Sequence, residues 1–191
     1  MGRNKRLWHP NYYDHVVVRG NNRQVIFAEQ QDFAEFFRAL HYVADKYPFE
    51  LLAYCLMNNH YHLLIRSKTP LSKTMMMLNR RYSDYYKKKY RYSGHLYENR
   101  YYSDMIHSAQ GLLEVSRYIH QNPIRTKIPL VTELAHYPYS SFQYYLSPEQ
   151  APPYLHPLQL IQHFQLEAER TLAHYITYCH ILEKDTDTPY E

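Results

Sequence analysis

Residues 50–66 read ELLAYCLMNNHYHLLIR, and this stretch decides the fold. Two apolar runs, 50–57 and 60–66, are separated only by Asn58 and Asn59. Asparagine tolerates the positive φ angles of a tight two-residue turn, so the runs are expected to pair as central strands of a hairpin. Upstream, YYDHVVVR at 12–19 is compact and β-branched and stops at Gly20-Asn21-Asn22, which reads as a strand followed by a loop. Between them, Phe33, Phe36, Phe37, Leu40, Val43 and Ala44 recur at helical spacing over 32–47, and Pro48 ends that helix. Downstream, Leu71, Met75, Leu78, Tyr82 and Tyr85 mark a second amphipathic helix closed by Gly94. Residues 96–106 offer another strand, and 109–121 a third helix that stops at Asn122-Pro123. Strand, helix, strand, strand, helix, strand, helix is an α+β pattern, and a ferredoxin-like antiparallel sheet packed by helices is its simplest form.

Beyond Pro138 the chain carries Pro148, Pro152, Pro153 and Pro157, then a helical pattern over 158–182 and a polar end, KDTDTPYE. This is expected to be a C-terminal helical appendage, frayed at its tip. The domain reading is therefore 1–146 for the main unit and 147–191 for the extension. A chain of 191 residues can bury a core without staples. Its 45% hydrophobic fraction includes 23 tyrosines, so the aliphatic core is expected to be modest.

A net charge of +4 and a pI near 8.9 are compatible with a polyanionic partner but do not establish one. Cys55 and Cys179 lie far apart, which argues against a thiolate zinc site or a disulfide framework. No apolar run is long enough for a membrane span, and the N-terminus lacks an apolar signal segment, so a cytoplasmic location is expected. Nothing resembles a phosphate-cradling P-loop, and four glycines leave little material for one.

The candidate chemistry starts at His60 and His62. In a strand their side chains share a face, about 6.5–7 Å apart at Cα, close enough for both imidazoles to chelate one metal. A bare pair of strand histidines is equally read as a hydrogen-bonded structural feature in a chain with 13 histidines. A metallo-β-lactamase would need Asp-His after the pair, where Leu63-Leu64-Ile65 stand, and an amidohydrolase barrel needs roughly 250 residues. On the third helix, Tyr118 and Asn122 are one turn apart on one face and can serve a single site. The structural alternative is one aromatic among many and a helix-ending asparagine.

Five ordered segments, YDHVVVRGNNRQVIF, AYCLMNNHYHLLI, GHLYENRYYS, SRYIHQNPIR and YPYSSFQYYL, resemble the REP-associated tyrosine transposases, members of the single-tyrosine HUH transposases. The resemblance spans 12 to about 146. It implies that His60 and His62 are metal ligands, that Asn122 completes the metal shell and that Tyr118 is the nucleophile. The expected cofactor is magnesium or manganese, and the expected partner is a single-stranded DNA hairpin of a repetitive palindrome. Asn58 stands where the family usually has proline, and Glu98 where glutamine is common; neither touches the proposed ligands.

The resemblance also brings Arg19, Asn21, Asn22 and Arg23 of the RGNNR segment, and His95 and Arg100 of GHLYENR, toward DNA. Arg3, Lys5, Arg6, Arg80, Arg81 and Lys87-Lys88-Lys89 are basic candidates for phosphates, although a charge run is often only a solvated face. The resulting expectation is a metal-dependent nickase and strand-transferase with a 5′-phosphotyrosine intermediate, at the nucleoid, as monomer or homodimer. The rivals are a catalytically silent hairpin-binding protein or repressor, and an RNA-binding α+β domain.

Overall fold

The structure is a computed structural model that describes residues 8–182. Arg3, Lys5 and Arg6 of the expected DNA-contacting set, and the polar end from 183 onward, lie outside the described residues. The elements are β1 (Tyr13–Arg19), α1 (Gln30–Lys46), β2 (Phe49–Met57), β3 (His60–Ser67), α2 (Leu71–Tyr90), β4 (Tyr102–Ile106), α3 (Ala109–Arg125), α4 (Gln143–Leu146), α5 (Pro157–Ile161) and α6 (Leu172–His180). The four strands form one antiparallel sheet in the order β2-β3-β1-β4, so the expected α+β, ferredoxin-like arrangement is present.

Alternation along the strands divides the interior into two cores. Val16, Val18, Tyr54, Leu56, Tyr61, Leu63 and Ile65 pack with α1 and α2 on one face. Tyr13, Cys55, Met57 and Leu64 pack with α3 and the C-terminal helices on the other. A register shift between Leu51 and Ala53 lets Leu52 and Ala53, although adjacent, both join the second core. The outer edge of β2 is covered by the following chain: Leu56 N–H donates to Tyr139 O, Ser141 N–H to Tyr54 O, and Leu51 N–H to Tyr154 O.

Six local expectations are corrected. The Asn58-Asn59 turn forms, but neither residue has positive φ; among the described non-glycine residues only Asn22, Arg23 and Arg91 do. Tertiary bonds hold the turn instead, because Asn58 O accepts from Ile26 and Phe27 N–H and Asn59 O accepts from Gly20 N–H at 2.8 Å. Helix α2 ends at Tyr90 with Arg91 left-handed at φ 50°, ahead of Gly94. The 96–106 strand shrinks to Tyr102–Ile106, leaving a loop whose Tyr97 bridges Gly20.

The third helix runs through Pro123 to Arg125, because Asn122 and Pro123 are buried and packing of that last turn outweighs proline's tendency to stop a helix. The 158–182 stretch is not continuous: α5 and α6 are separated by a mostly exposed segment in which Phe164 reaches the core, and Thr171 caps α6 anew by accepting from His174 N–H at 3.1 Å. Finally, Lys89 is not free for phosphate; it is bound to Asp32 and Glu29 at the start of α1.

Candidate active site

The site lies where β1 and β3 meet under α3. Pairing of Val17 with His62 and of Arg19 with His60 puts Arg19, His60 and His62 on the α3 face of the sheet. Gly20, next in line, is required by space: a Cβ there would collide with Gln24 O and with Ile26 Cγ2. The chain therefore turns tightly into the Asn21–Arg23 loop, whose three residues are exposed.

His62 is 1% exposed and His60 partly buried, with ring centroids 4.9 Å apart and nearly perpendicular planes. Above them, the edge of the Tyr118 ring meets His62 at 5.6 Å. It also meets His15, a residue the sequence reading did not single out, at 5.9 Å. One turn further along α3, Asn122 donates through Nδ2 to Tyr118 O at 2.9 Å and reaches His60 with the rest of its amide. The structure thus brings together Tyr118, His60, His62, Asn122 and Arg19.

Local bonds constrain the His60 ring. Asn59 Nδ2 donates to Arg23 O at 3.3 Å, so Asn59 Oδ1 accepts from His60 Nδ1 at 2.6 Å. His60 Nε2 is then the nitrogen with the lone pair. His62 Nδ1 bonds His15 Nε2 at 3.0 Å, while His62 Nε2 is buried without any hydrogen-bond partner. Burial, with the Arg19 charge beside it, pushes His60 down to about 4. Burial and the neighbouring His60, His15 and Arg19 hold His62 well below the usual histidine range.

These features suit a divalent cation: two neutral imidazoles, each with a ring nitrogen left over, and an amide oxygen beside them. Among the described residues no group of three or more His, Cys, Asp or Glu side chains converges on one point, so a metal here would rest on His60, His62 and Asn122 with water and substrate completing its shell.

The remaining candidates fall elsewhere. His95 and Arg100 are exposed and line a groove of about 650 Å³ between α2 and the 95–101 loop, with Met75, Met76, Asn79 and Lys87. That groove contains none of the four central residues. Arg80 pairs with Asp84, and Arg81 stacks on Tyr42 at 3.8 Å. His15 and Asn59 are what sequence reasoning missed. Period-two alternation in YDHVVVR puts His15 and Arg19 on one face, but the strand register is needed to set them beside the histidine pair.

Comparison with known proteins bears on the family and the fold. The profile of the family described as "Transposase IS200 like" matches residues 8–122. A protein of Haemophilus influenzae assigned as a REP-associated tyrosine transposase is 29% identical over 122 residues, spanning 56% of this chain and 67% of that one. Among solved structures, a REP-associated tyrosine transposase bound to a REP hairpin superposes with a TM-score of 0.65 at 16% identity, covering 82% of this chain and 92% of its own. That likeness is one of fold. A protein from Deinococcus radiodurans assigned as a transposase gives a TM-score of 0.42 at 16% identity, covering 63% of this chain and 97% of its own.

Proposed function

Because the chain belongs to the IS200-like transposase family, we propose that it is a single-stranded DNA endonuclease and strand-transferase acting on hairpin DNA through a phosphotyrosine intermediate. The observation that carries this reading is Tyr118, partly exposed and edge-on to His62, with Asn122 one turn away on the same helix and against His60. Tyr118 Oη attacks the scissile phosphorus, the bond from phosphorus to the 3′ oxygen breaks, and that oxygen leaves as a 3′-hydroxyl. The 5′-phosphate stays on Tyr118, so the energy of the linkage is kept for the reverse attack by a second 3′-hydroxyl.

Magnesium or manganese held by His60, His62 and Asn122 would polarise the phosphodiester and offset the charge that builds on its oxygens. Arg19 contributes in two ways: it adds to burial, the larger cause, in keeping the histidines neutral, and it sets a fixed positive charge at the mouth of the site where a phosphate would lie. The exposed Asn21–Arg23 loop and the His95/Arg100 groove are where we place contacts to the DNA on either side. The similar solved protein carries a REP hairpin, and a hairpin of that kind is the substrate assigned here. We treat 147–182 as an extension that braces α3, through Gln121 Nε2 bonded to Cys179 O and Ile181 O, and place the reaction in the cytoplasm at the nucleoid. Among the described residues no helix is long and apolar enough to cross a membrane.

Incubation with labelled hairpin DNA and magnesium or manganese, followed by a denaturing gel, tests the reading. A covalent band that disappears in Tyr118→Phe supports it. Hairpin binding with no band under either metal identifies a silent binder instead.

A further inference from the structure

His15 is 0% exposed in the middle of β1, and its Nε2 lies 3.0 Å from His62 Nδ1 with the ring planes 20° apart. Two neutral imidazoles that meet nitrogen to nitrogen must divide the roles, one donating and one accepting. The division is not neutral for the site. With His62 Nδ1 donating, its Nε2 presents a lone pair; with His62 Nδ1 accepting, Nε2 carries a proton and can hold no metal. His62 Nε2 is buried and has no partner within the protein, so nothing else on that ring selects between the two states.

We propose that His15 is a positioning residue for His62: its Nε2 accepts the His62 Nδ1 proton, fixing the ring and leaving the His62 Nε2 lone pair directed into the site. The meaning of the pair rests on the metal reading above, but the hydrogen bond itself does not. Tyr118 lies edge-on to both rings, so the same bond holds the surface against which the nucleophile packs. A strand residue that touches neither substrate nor metal thus has a role, which accounts for a histidine buried beside the three valines of β1.

The test has two readouts. Long-range proton–nitrogen correlation on metal-free, histidine-labelled protein identifies the protonated nitrogen of His62; a proton on Nδ1 is expected, and one on Nε2 overturns the proposal. Manganese titration followed by electron spin resonance then compares wild type, His15→Phe, His15→Gln and His62→Ala, with near-ultraviolet dichroism confirming the fold of each. His15→Phe is expected to weaken manganese binding about 10–100-fold, and His15→Gln, whose Oε1 accepts where Nε2 did, to recover most of it. Unchanged affinity in His15→Phe, or a glutamine variant no better than phenylalanine, overturns the positioning role. Where His15→Phe does not fold, the wild-type tautomer and the glutamine variant decide. Equal manganese binding by wild type and His62→Ala removes the metal reading of the site, a failure distinct from that of the tautomer.

Discussion

On the α1/α2 face, the fully buried Asp32 carboxylate accepts from Ala28 and Glu29 N–H, from the hydroxyls of Tyr85 and Tyr90, and from Lys89. On the α3 face, His62 is as deeply buried, yet one of its two nitrogens has no partner. The first cluster joins the start of α1 to the end of α2, and every lone pair is used; it is an internal fastening. The second leaves a donor atom unused inside a core, which folding alone does not favour. Of these two clusters, the complete one fastens the fold, and the incomplete one lies at the site where we place the metal.

This contrast is most sharply challenged by Tyr118→Phe, which should abolish covalent adduct while leaving thermal stability and hairpin affinity nearly unchanged. Persistence of adduct on denaturing gels would end the nucleophile assignment. Next in size, Asp32→Ala should lower the unfolding free energy by about 3 kcal/mol, because it takes the acceptor from Ala28 and Glu29 N–H and from the Tyr85 and Tyr90 hydroxyls and leaves Lys89 paired with Glu29; urea denaturation measures it. The matching change on the other face, His15→Leu with His62→Leu, should be nearly neutral or stabilising in the same assay, since both partners of the bond are removed together. A large loss there would mean that the pair is structural after all.

Acid separates the faces as well. Burial first pushes the Asp32 carboxyl up, but the bonds from Lys89, Tyr90, Tyr85 and Ala28 N–H outweigh it and hold it below its usual value. Its stabilising share is therefore present at neutral pH and is lost only as pH falls through that depressed value. His15 and His60, pushed down to about 4 chiefly by burial, and His120, pushed down to about 3, take up protons in the unfolded chain first. Stability should therefore fall between about pH 6.5 and 4 as the unfolded state gains protons that the native state refuses. Urea midpoints across that range check it, and a flat profile would contradict the neutral, buried histidines. The smallest effect belongs to Tyr175→Phe. Its hydroxyl bonds His120 Nδ1 at 2.8 Å and donates to Ser116 at 2.9 Å, tying α6 to α3, and removing it should cost about 1 kcal/mol in a thermal melt.

Much of this was legible in the chain. The two runs on either side of Asn58-Asn59 gave the central hairpin, because alternation and a short polar gap are local signals. Tyr118 and Asn122 shared a face by helical spacing alone, although Pro123 misled on where α3 ends: a local breaker was overridden by burial of the last turn. Lys89 read as part of a solvated run, since nothing nearby in sequence reveals that Asp32 waits at the far end of the neighbouring helix. His95 and Arg100 were legible as candidates, but only the fold showed that they line a groove of their own.

The sequence by itself determined the strand and helix pattern, the ferredoxin-like class and the pairings that lie within a few residues, including His60 with His62 and Tyr118 with Asn122. Tertiary structure alone decided that these two pairs meet, that Arg19 faces His60, and that His15 bonds His62. The reason is register: contacts between β1, β3 and α3 join residues 41 or more positions apart, and which rung faces which is set by the packing of whole faces, a quantity no local window of the chain contains.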